Sequence, residues 1–397
     1  MRGALKRGIM GLLVAFGFFA IVEGGLRIVL GPPAPQRLIR KTWAADGEAF
    51  AVADGKVSTT YQGPDAIEPF DAAPTEGVVR IFGFGESSMR GGSGIGPERE
   101  FMGLMGKALN AEGIKVEVQN LARPGLDSHT LRPVLREGLV FKPDIVVFYV
   151  GHNDVGNGTL EARYGDIQGA LAARTLVGME QFQLYTQLHR LLVPHPPNVQ
   201  FRPGLTPTQR DVLEIDYRSN LRWMVHEVEQ AGATPVLITP ASPLDGWFSQ
   251  RPSCSDAVPN SAWVSVRNQW VLTPNMLTSR QIQSAIDLAP DCPDVLYLKG
   301  ILLLREGKRD EAWRALSYAR DHEPFSLRAS SGIVGAVRQV ADEEDLPLVD
   351  WEAWLRTGDQ QTRYFTDNVH LQPEAHKALA KLLAPTVKAA IEARQAE

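Results

Sequence analysis

The sequence predicts an α/β protein built on a parallel sheet with helices on both faces. Three observations carry that expectation. Short runs rich in Val, Ile and Phe, over 78–84, 114–118, 144–150, 234–239 and 347–350, alternate with stretches of helical spacing. The run from Asp144 to Val150 is apolar on both faces, as a central parallel strand requires. Polar and glycine-rich turns follow the strand ends, where open α/β sheets keep their ligands.

The chain begins with Arg2, Lys6 and Arg7 ahead of an uncharged apolar stretch, Gly8 to Val22; Glu23 and Arg27 interrupt before Ile28-Val29-Leu30 and the break at Gly31-Pro32-Pro33. Up to Leu30 this gives roughly the 20 residues a bilayer needs. The leading basic residues predict a cytoplasmic N-terminus and an exported remainder, a single-pass membrane anchor over 1–31 with the rest of the chain on the periplasmic side. No small-residue cleavage site stands out, which favours an uncleaved anchor over a signal peptide. Residues 32–76, rich in Pro, Ala, Gly and Asp, read as linker and irregular approach.

The domain proper is expected over 77–397. Its first strand, Val78 to Phe84, stops at glycines. Pro97 to Asn110 follows with helical spacing through Phe101, Leu104, Met105 and Leu109. A second strand ends at Gln119-Asn120, a helix follows over His129 to Leu139, and the Asp144 strand ends in Gly151-His152-Asn153-Asp154. A polar excursion at about 155–207 precedes a helix over Gln209 to Ala231 and the fourth strand. A second excursion spans about 240–325. Within it, a helical hairpin at 293–322 is similar to one tetratricopeptide unit, with a neighbouring helix at Thr278 to Leu288. One such unit cannot bury its face alone, so it is expected to pack on the catalytic domain, where it could also bind a protein partner. The alternation resumes with a helix from Ser330 and a short strand at Pro347 to Asp350; the last helix runs from Pro373 to about Arg394.

Composition narrows the function. With 397 residues, 44% hydrophobic and 22% charged, the chain supports a sizeable core. A net charge of −5 and the lack of a basic patch interleaved with aromatics argue against nucleic acid. Cys254 and Cys292 lack zinc-site spacing; outside the cytoplasm they either pair or remain unrelated thiols. Gly83-x-Gly85 after a strand invites a dinucleotide reading, but Ser88 stands at the third glycine position and the next helix starts too late.

The chemistry centres on Val78-Val79-Arg80-Ile81-Phe82-Gly83-Phe84-Gly85-Glu86-Ser87-Ser88. A serine on a sharp turn above a sheet edge is a candidate nucleophile, and it needs a base, an acid to orient that base, and oxyanion donors. Asp367 lies three residues before His370, so one turn can carry acid and base. A Gly125 amide, the Ser87 amide and the Asn153 side chain can supply the donors. His152 reads as a turn filler and Asp154 as a support for its loop through backbone hydrogen bonds.

In these motifs the chain resembles the SGNH (GDSL-type) hydrolase superfamily. Gly85-Glu86-Ser87 with Gly91, Asn120 with Gly125, Gly151-His152-Asn153-Asp154 and Asp367-Asn368-Val369-His370 match its four motifs in order. Two positions depart: Glu86 replaces the usual aspartate and Ala122 a frequent glycine. Ser88 competes as nucleophile, but Ser87 keeps the spacing to Gly85 and Gly91. The resemblance implies a flavodoxin-like three-layer α/β/α sandwich and Ser87-His370-Asp367 acyl transfer through an oxyanion hole of Ser87, Gly125 and Asn153, with no metal or cofactor. It implies an ester as substrate, which export would place among envelope O-acyl glycans or lipids. An O-acyltransferase with the same site and an inactive scaffold are the alternatives.

Overall fold

The structure, a computed structural model, describes residues 2–30, 49–60, 67–91, 95–157, 170–180, 182–192, 207–246, 277–323, 327–358 and 361–396. The N-terminal helix α1 (Arg2–Leu30) is followed by three short strands, β1 (Phe50–Ala53), β2 (Lys56–Thr59) and β3 (Phe70–Asp71). The main sheet has β4 (Val79–Gly85), β5 (Val116–Asn120), β6 (Ile145–Tyr149), β7 (Thr234–Ile238) and β8 (Leu348–Val349). These five pair in the order β5-β4-β6-β7-β8, every neighbouring pair parallel. The first main strand lies between the second and third, so the winding reverses between β5 and β6, and a site at such a switch point is favoured.

Alternate residues of the central strands enter two separate cores. Phe82, Phe84, Val146, Phe148 and Leu237 face α4 (Ser128–Leu139), the long helix Pro207–Gln230 and the helix Ser331–Glu343. Ile81, Ile145, Val147, Tyr149 and Val236 face α3 (Phe101–Ala111), the helix Trp351–Thr357 and the C-terminal helix Pro373–Ala396. Burial on both sides is why these strands read as unbroken apolar runs rather than as alternation.

Several expectations shift in detail. The stretch expected as linker contains an antiparallel sheet, β1-β2-β3. Its turn, Asp54-Gly55, takes positive φ at both residues (53° and 75°), the geometry of a tight hairpin for which Asp-Gly is the standard sequence signal. The strands are too short for periodicity to reveal them. Pro97 to Arg99 form a turn, and α3 begins only at Phe101. The first excursion contains α6 (Ala170–Met179) and α7 (Gln183–Leu192), after α2 (Ser87–Arg90) and α5 (His152–Gly156). In the second excursion, helices Ser279–Leu288, Pro293–Arg305 and Arg309–Asp321 share a small core of Leu244, Ile282, Val295, Leu298, Trp313 and Leu316. That core includes Leu244, just beyond β7, so the helices are packed on the α/β domain. The remainder of both excursions, Cys254 included, lies outside the described residues; Cys292 is buried and disulfide-bonded.

Arg80 ties the small sheet to the main one. Its fully buried guanidinium pairs with Glu117 and donates to the carbonyls of Asp71, Ala72, Ala73 and Phe141 at 2.7–3.1 Å. A methionine there fills the volume but leaves four carbonyls, that of Phe141 buried, without their donor. Arg80→Met is expected to cost about 3 kcal/mol in urea unfolding, and a loss under about 1 kcal/mol would contradict the pinning role.

Candidate active site

β4 ends by passing very close to β6. A Cβ on Gly85 would stand 2.2 Å from the Tyr149 carbonyl oxygen, so only glycine permits the approach that brings the β4 turn to the sheet edge. The extended residue Glu86 then leads into α2, whose first residue is Ser87. The neighbouring Ser88 is fully buried, and its hydroxyl donates to Glu86 at 3.4 Å. Of the two serines, Ser87 is the one that meets a histidine.

His370 Nε2 lies 2.8 Å from Ser87 Oγ, across 283 residues of chain, and His370 Nδ1 lies 2.6 Å from Asp367 Oδ2. The other carboxylate oxygen, Asp367 Oδ1, accepts the amide protons of Val369 and His370 at 2.9 Å each. One aspartate therefore shapes the turn and orients the ring. The turn is closed from outside by the Phe365–Leu371 bridge and by the Thr366 amide donating to the His370 carbonyl at 2.9 Å. The hydrogen bond to Asp367 raises the His370 pKa above its ordinary value, against burial, which lowers it. Burial alone would raise Asp367, but hydrogen bonds from His370 and the turn amides hold it down at about 2.

The loops after β5 and β6 are joined to each other. Asn153 Nδ2 donates to the Leu126 carbonyl at 2.9 Å, and Asn157 Nδ2 to the Gly125 carbonyl at 3.0 Å. Gly125 has φ +79°, which suits glycine and turns the chain toward the Asp127 cap of α4. Asn120 donates to the Met89 carbonyl at 3.1 Å and accepts the Ala122 amide at 3.1 Å, joining the second motif to α2. Ala122 itself is buried.

Glu86 has a larger part than its sequence position suggests. Its carboxylate accepts the amide protons of His152 at 2.8 Å and Asn153 at 2.9 Å, so the residue beside Ser87 holds the loop that carries Asn153. No spacing rule signals a side chain that reaches a loop 66 residues away. Burial pushes Glu86 up to about 7, while the two amides and Ser88 hold it down. Asp154 supports not its own loop but the start of α4, accepting from the Ser128 amide and hydroxyl. His152 is buried; its Nδ1 accepts the Ala329 amide at 3.1 Å, and burial drives its pKa to about 3. It is a neutral strut between loops, with no direct bond to Ser87 among the described residues. Glu86→Gln turns one of the two acceptors into a donor facing an amide. Amide exchange at His152 and Asn153 is expected to rise about tenfold or more, with the sheet amides unchanged.

The sequence matches the model of the GDSL-like lipase/acylhydrolase family over residues 84–272, a range that includes Ser87, Gly125 and Asn153 but stops short of Asp367 and His370. No curated protein matches the chain. Among solved structures, a lipase/acylhydrolase from Enterococcus faecalis is 16% identical, with 79% of this chain and 96% of that one covered at a TM-score of 0.39. The acetyl xylan esterase AlAXEase is 14% identical, covering 78% of this chain and 100% of that one at 0.38. Axe2, an acetylxylan esterase from Geobacillus stearothermophilus, is 14% identical, covering 80% and 96% at 0.36. Over residues 84–272 the chain is therefore similar to the GDSL-like lipase/acylhydrolase family, and its four motifs stand in the order expected from that resemblance.

Proposed function

We propose that this chain is an ester hydrolase that works through an acyl-enzyme on Ser87. The observation that carries the reading is the unbroken line Asp367–His370–Ser87, with separations of 2.6 and 2.8 Å. His370 takes the hydroxyl proton as Ser87 Oγ attacks the ester carbonyl, then gives it to the leaving alcohol oxygen. Water attacks the acyl-enzyme in the second half, losing its proton to His370, which returns it to Ser87 Oγ as the acyl–oxygen bond breaks and the acid leaves. Asp367 keeps the proton of the neutral ring on Nδ1 and stabilises the imidazolium that forms in each half.

The oxyanion requires donors aimed at the developing charge. Asn153 Nδ2 spends one proton on Leu126 and has a second to offer. The Ser87 amide, first in α2, lacks an intrahelical acceptor, and the Gly125 amide completes the proposed set. The apolar helix α1 supports a membrane anchor, since Leu13–Leu30 is long and apolar enough to cross a bilayer. The disulfide-bonded Cys292 suits an oxidising compartment. Together these favour a substrate in the envelope, an O-acyl glycan or a lipid ester.

Ser87→Ala and His370→Ala are each expected to lower kcat on short-chain aryl esters by at least about 10⁴-fold; rates equal to the parent would sink the assignment. Hydrolysis that needs Ser87 but is outrun by transfer to an added sugar would reassign the enzyme as an acyltransferase. Asn153→Ala is expected to cost about 10²–10³ in kcat with KM little changed.

The base must be neutral to accept a proton, and its pKa is raised by Asp367. So kcat/KM should climb with pH along a limb centred above 6.5. Asp367→Asn should move that limb to lower pH and cut kcat about 10⁴-fold. An unshifted limb would show that another group titrates.

A further inference from the structure

The N-terminal helix does more than lead into the domain. A single stripe of α1, Phe19, Val22, Glu23 and Leu26, is covered, at the i, i+3, i+4, i+7 spacing of one helix face. What covers it is α7. Glu23, only 7% exposed, takes the Gln183 amide on Oε1 and the Leu184 amide on Oε2, each at 2.9 Å, and pairs with Arg27 at 2.6 Å. Phe19 meets Phe182 edge to face, with ring centroids 5.3 Å apart. A carboxylate on an apolar helix thus finds two backbone partners in the first turn of a helix of the folded domain, where the helix dipole also favours it.

Away from this stripe α1 is bare: Phe16, Phe18, Ile21 and Ile28 are 70–87% exposed. The same kind of surface continues on α7. Leu184, Leu188 and Leu191 share one face at i, i+4, i+7, and exposure rises along it to 46% at Leu188 and 81% at Leu191. Gln183 and Thr186, on another face, are buried. Glu23 directly follows the uncharged stretch from Gly8 to Val22, roughly 22 Å long at 1.5 Å per residue, so the contact with α7 stands at the C-terminal end of that stretch.

We infer that α7 lies in the interfacial layer of a lipid bilayer, held there by the Glu23 cap, with Leu188 and Leu191 in contact with lipid. This rests on the anchor reading of α1 and deepens it. The occupant is lipid because the apolar face of α7 continues from a helix whose own exposed surface requires the same solvent; an amphipathic helix of this kind lies in the plane of the interface. It follows that α1 stays in the mature protein, since its removal would strip the acceptor from two amides of α7. The platform also reaches the site. α6 packs on the helix Pro207–Gln230, whose Tyr217 hydroxyl donates to the Val150 carbonyl at 2.9 Å, one residue before the Gly151–Asp154 loop.

The test uses the full chain in vesicles of phosphatidylethanolamine and phosphatidylglycerol, with an environment-sensitive fluorophore on Leu191→Cys and, as control, on Asp287→Cys. The 191 label should shift to the blue and be quenched several-fold by spin-labelled lipid, the 287 label not at all. Adding Glu23→Ala should remove most of that quenching while hydrolysis of a soluble aryl ester is unchanged. Quenching that survives Glu23→Ala would overturn the cap as the holding contact. A chain that resists alkaline carbonate extraction but whose 191 label behaves like the 287 label would overturn the docking of α7 and leave the anchor standing. A chain that the carbonate wash releases would overturn both.

Discussion

The two amides that end on the Glu86 carboxylate set the geometry of this site. Three strand ends of a parallel sheet deliver loops to one edge, but delivery alone leaves each loop free to tilt. Glu86 removes that freedom between the first and third strands: it is fixed by the close passage of Gly85 against Tyr149, and it fixes His152 and Asn153 in turn. The second strand is joined by Asn120, Asn153 and Asn157, each bridging to a carbonyl of a neighbouring loop. A buried carboxylate is costly unless its lone pairs are filled, so the same contact that aligns the loops also makes Glu86 tolerable in the interior.

Asp367 and His370 arrive from the far end of the chain. Asp367 and His370 sit on one turn, and that turn is held by its own amides, by the Phe365–Leu371 bridge and by the C-terminal helix behind it. His376 in that helix accepts the Phe101 amide at 3.1 Å and stacks on its ring, which locks the start of α3 to the start of the C-terminal helix. His370 is therefore referenced to the same core that supports β4. A rigid reference on both sides is what lets a 2.8 Å contact form between residues so distant in sequence.

The strands β4, β6 and β7 were legible because burial on both faces leaves an apolar run that needs no partner to be recognised. Motif spacing picked out Ser87, Asp367 and His370, which the structure brings within hydrogen-bond distance along one line, because spacing records where each residue stands relative to its own strand end. The hairpin at Asp54-Gly55 was missed although its turn signal is plain, because its strands are too short to show periodicity. Glu86 as the clamp, Arg80 as the rivet between sheets and Glu23 as the cap of α7 were illegible for a different reason. Each acts on backbone amides or carbonyls elsewhere in the chain, and a backbone group leaves no mark in the sequence.

By itself, then, the amino-acid sequence determined the alternation of strands and helices, the apolar N-terminal helix and the short-range pairing of Asp367 with His370, since all of these follow from local spacing. Motif spacing favoured Ser87 over the adjacent Ser88, but only the tertiary structure brought the Ser87 hydroxyl to His370. That contact depends on which hydroxyl the first turn of α2 leaves beside the histidine once Gly85 has passed Tyr149 and Glu86 has taken its two amides. It is a consequence of packing across 283 residues, which no local pattern encodes.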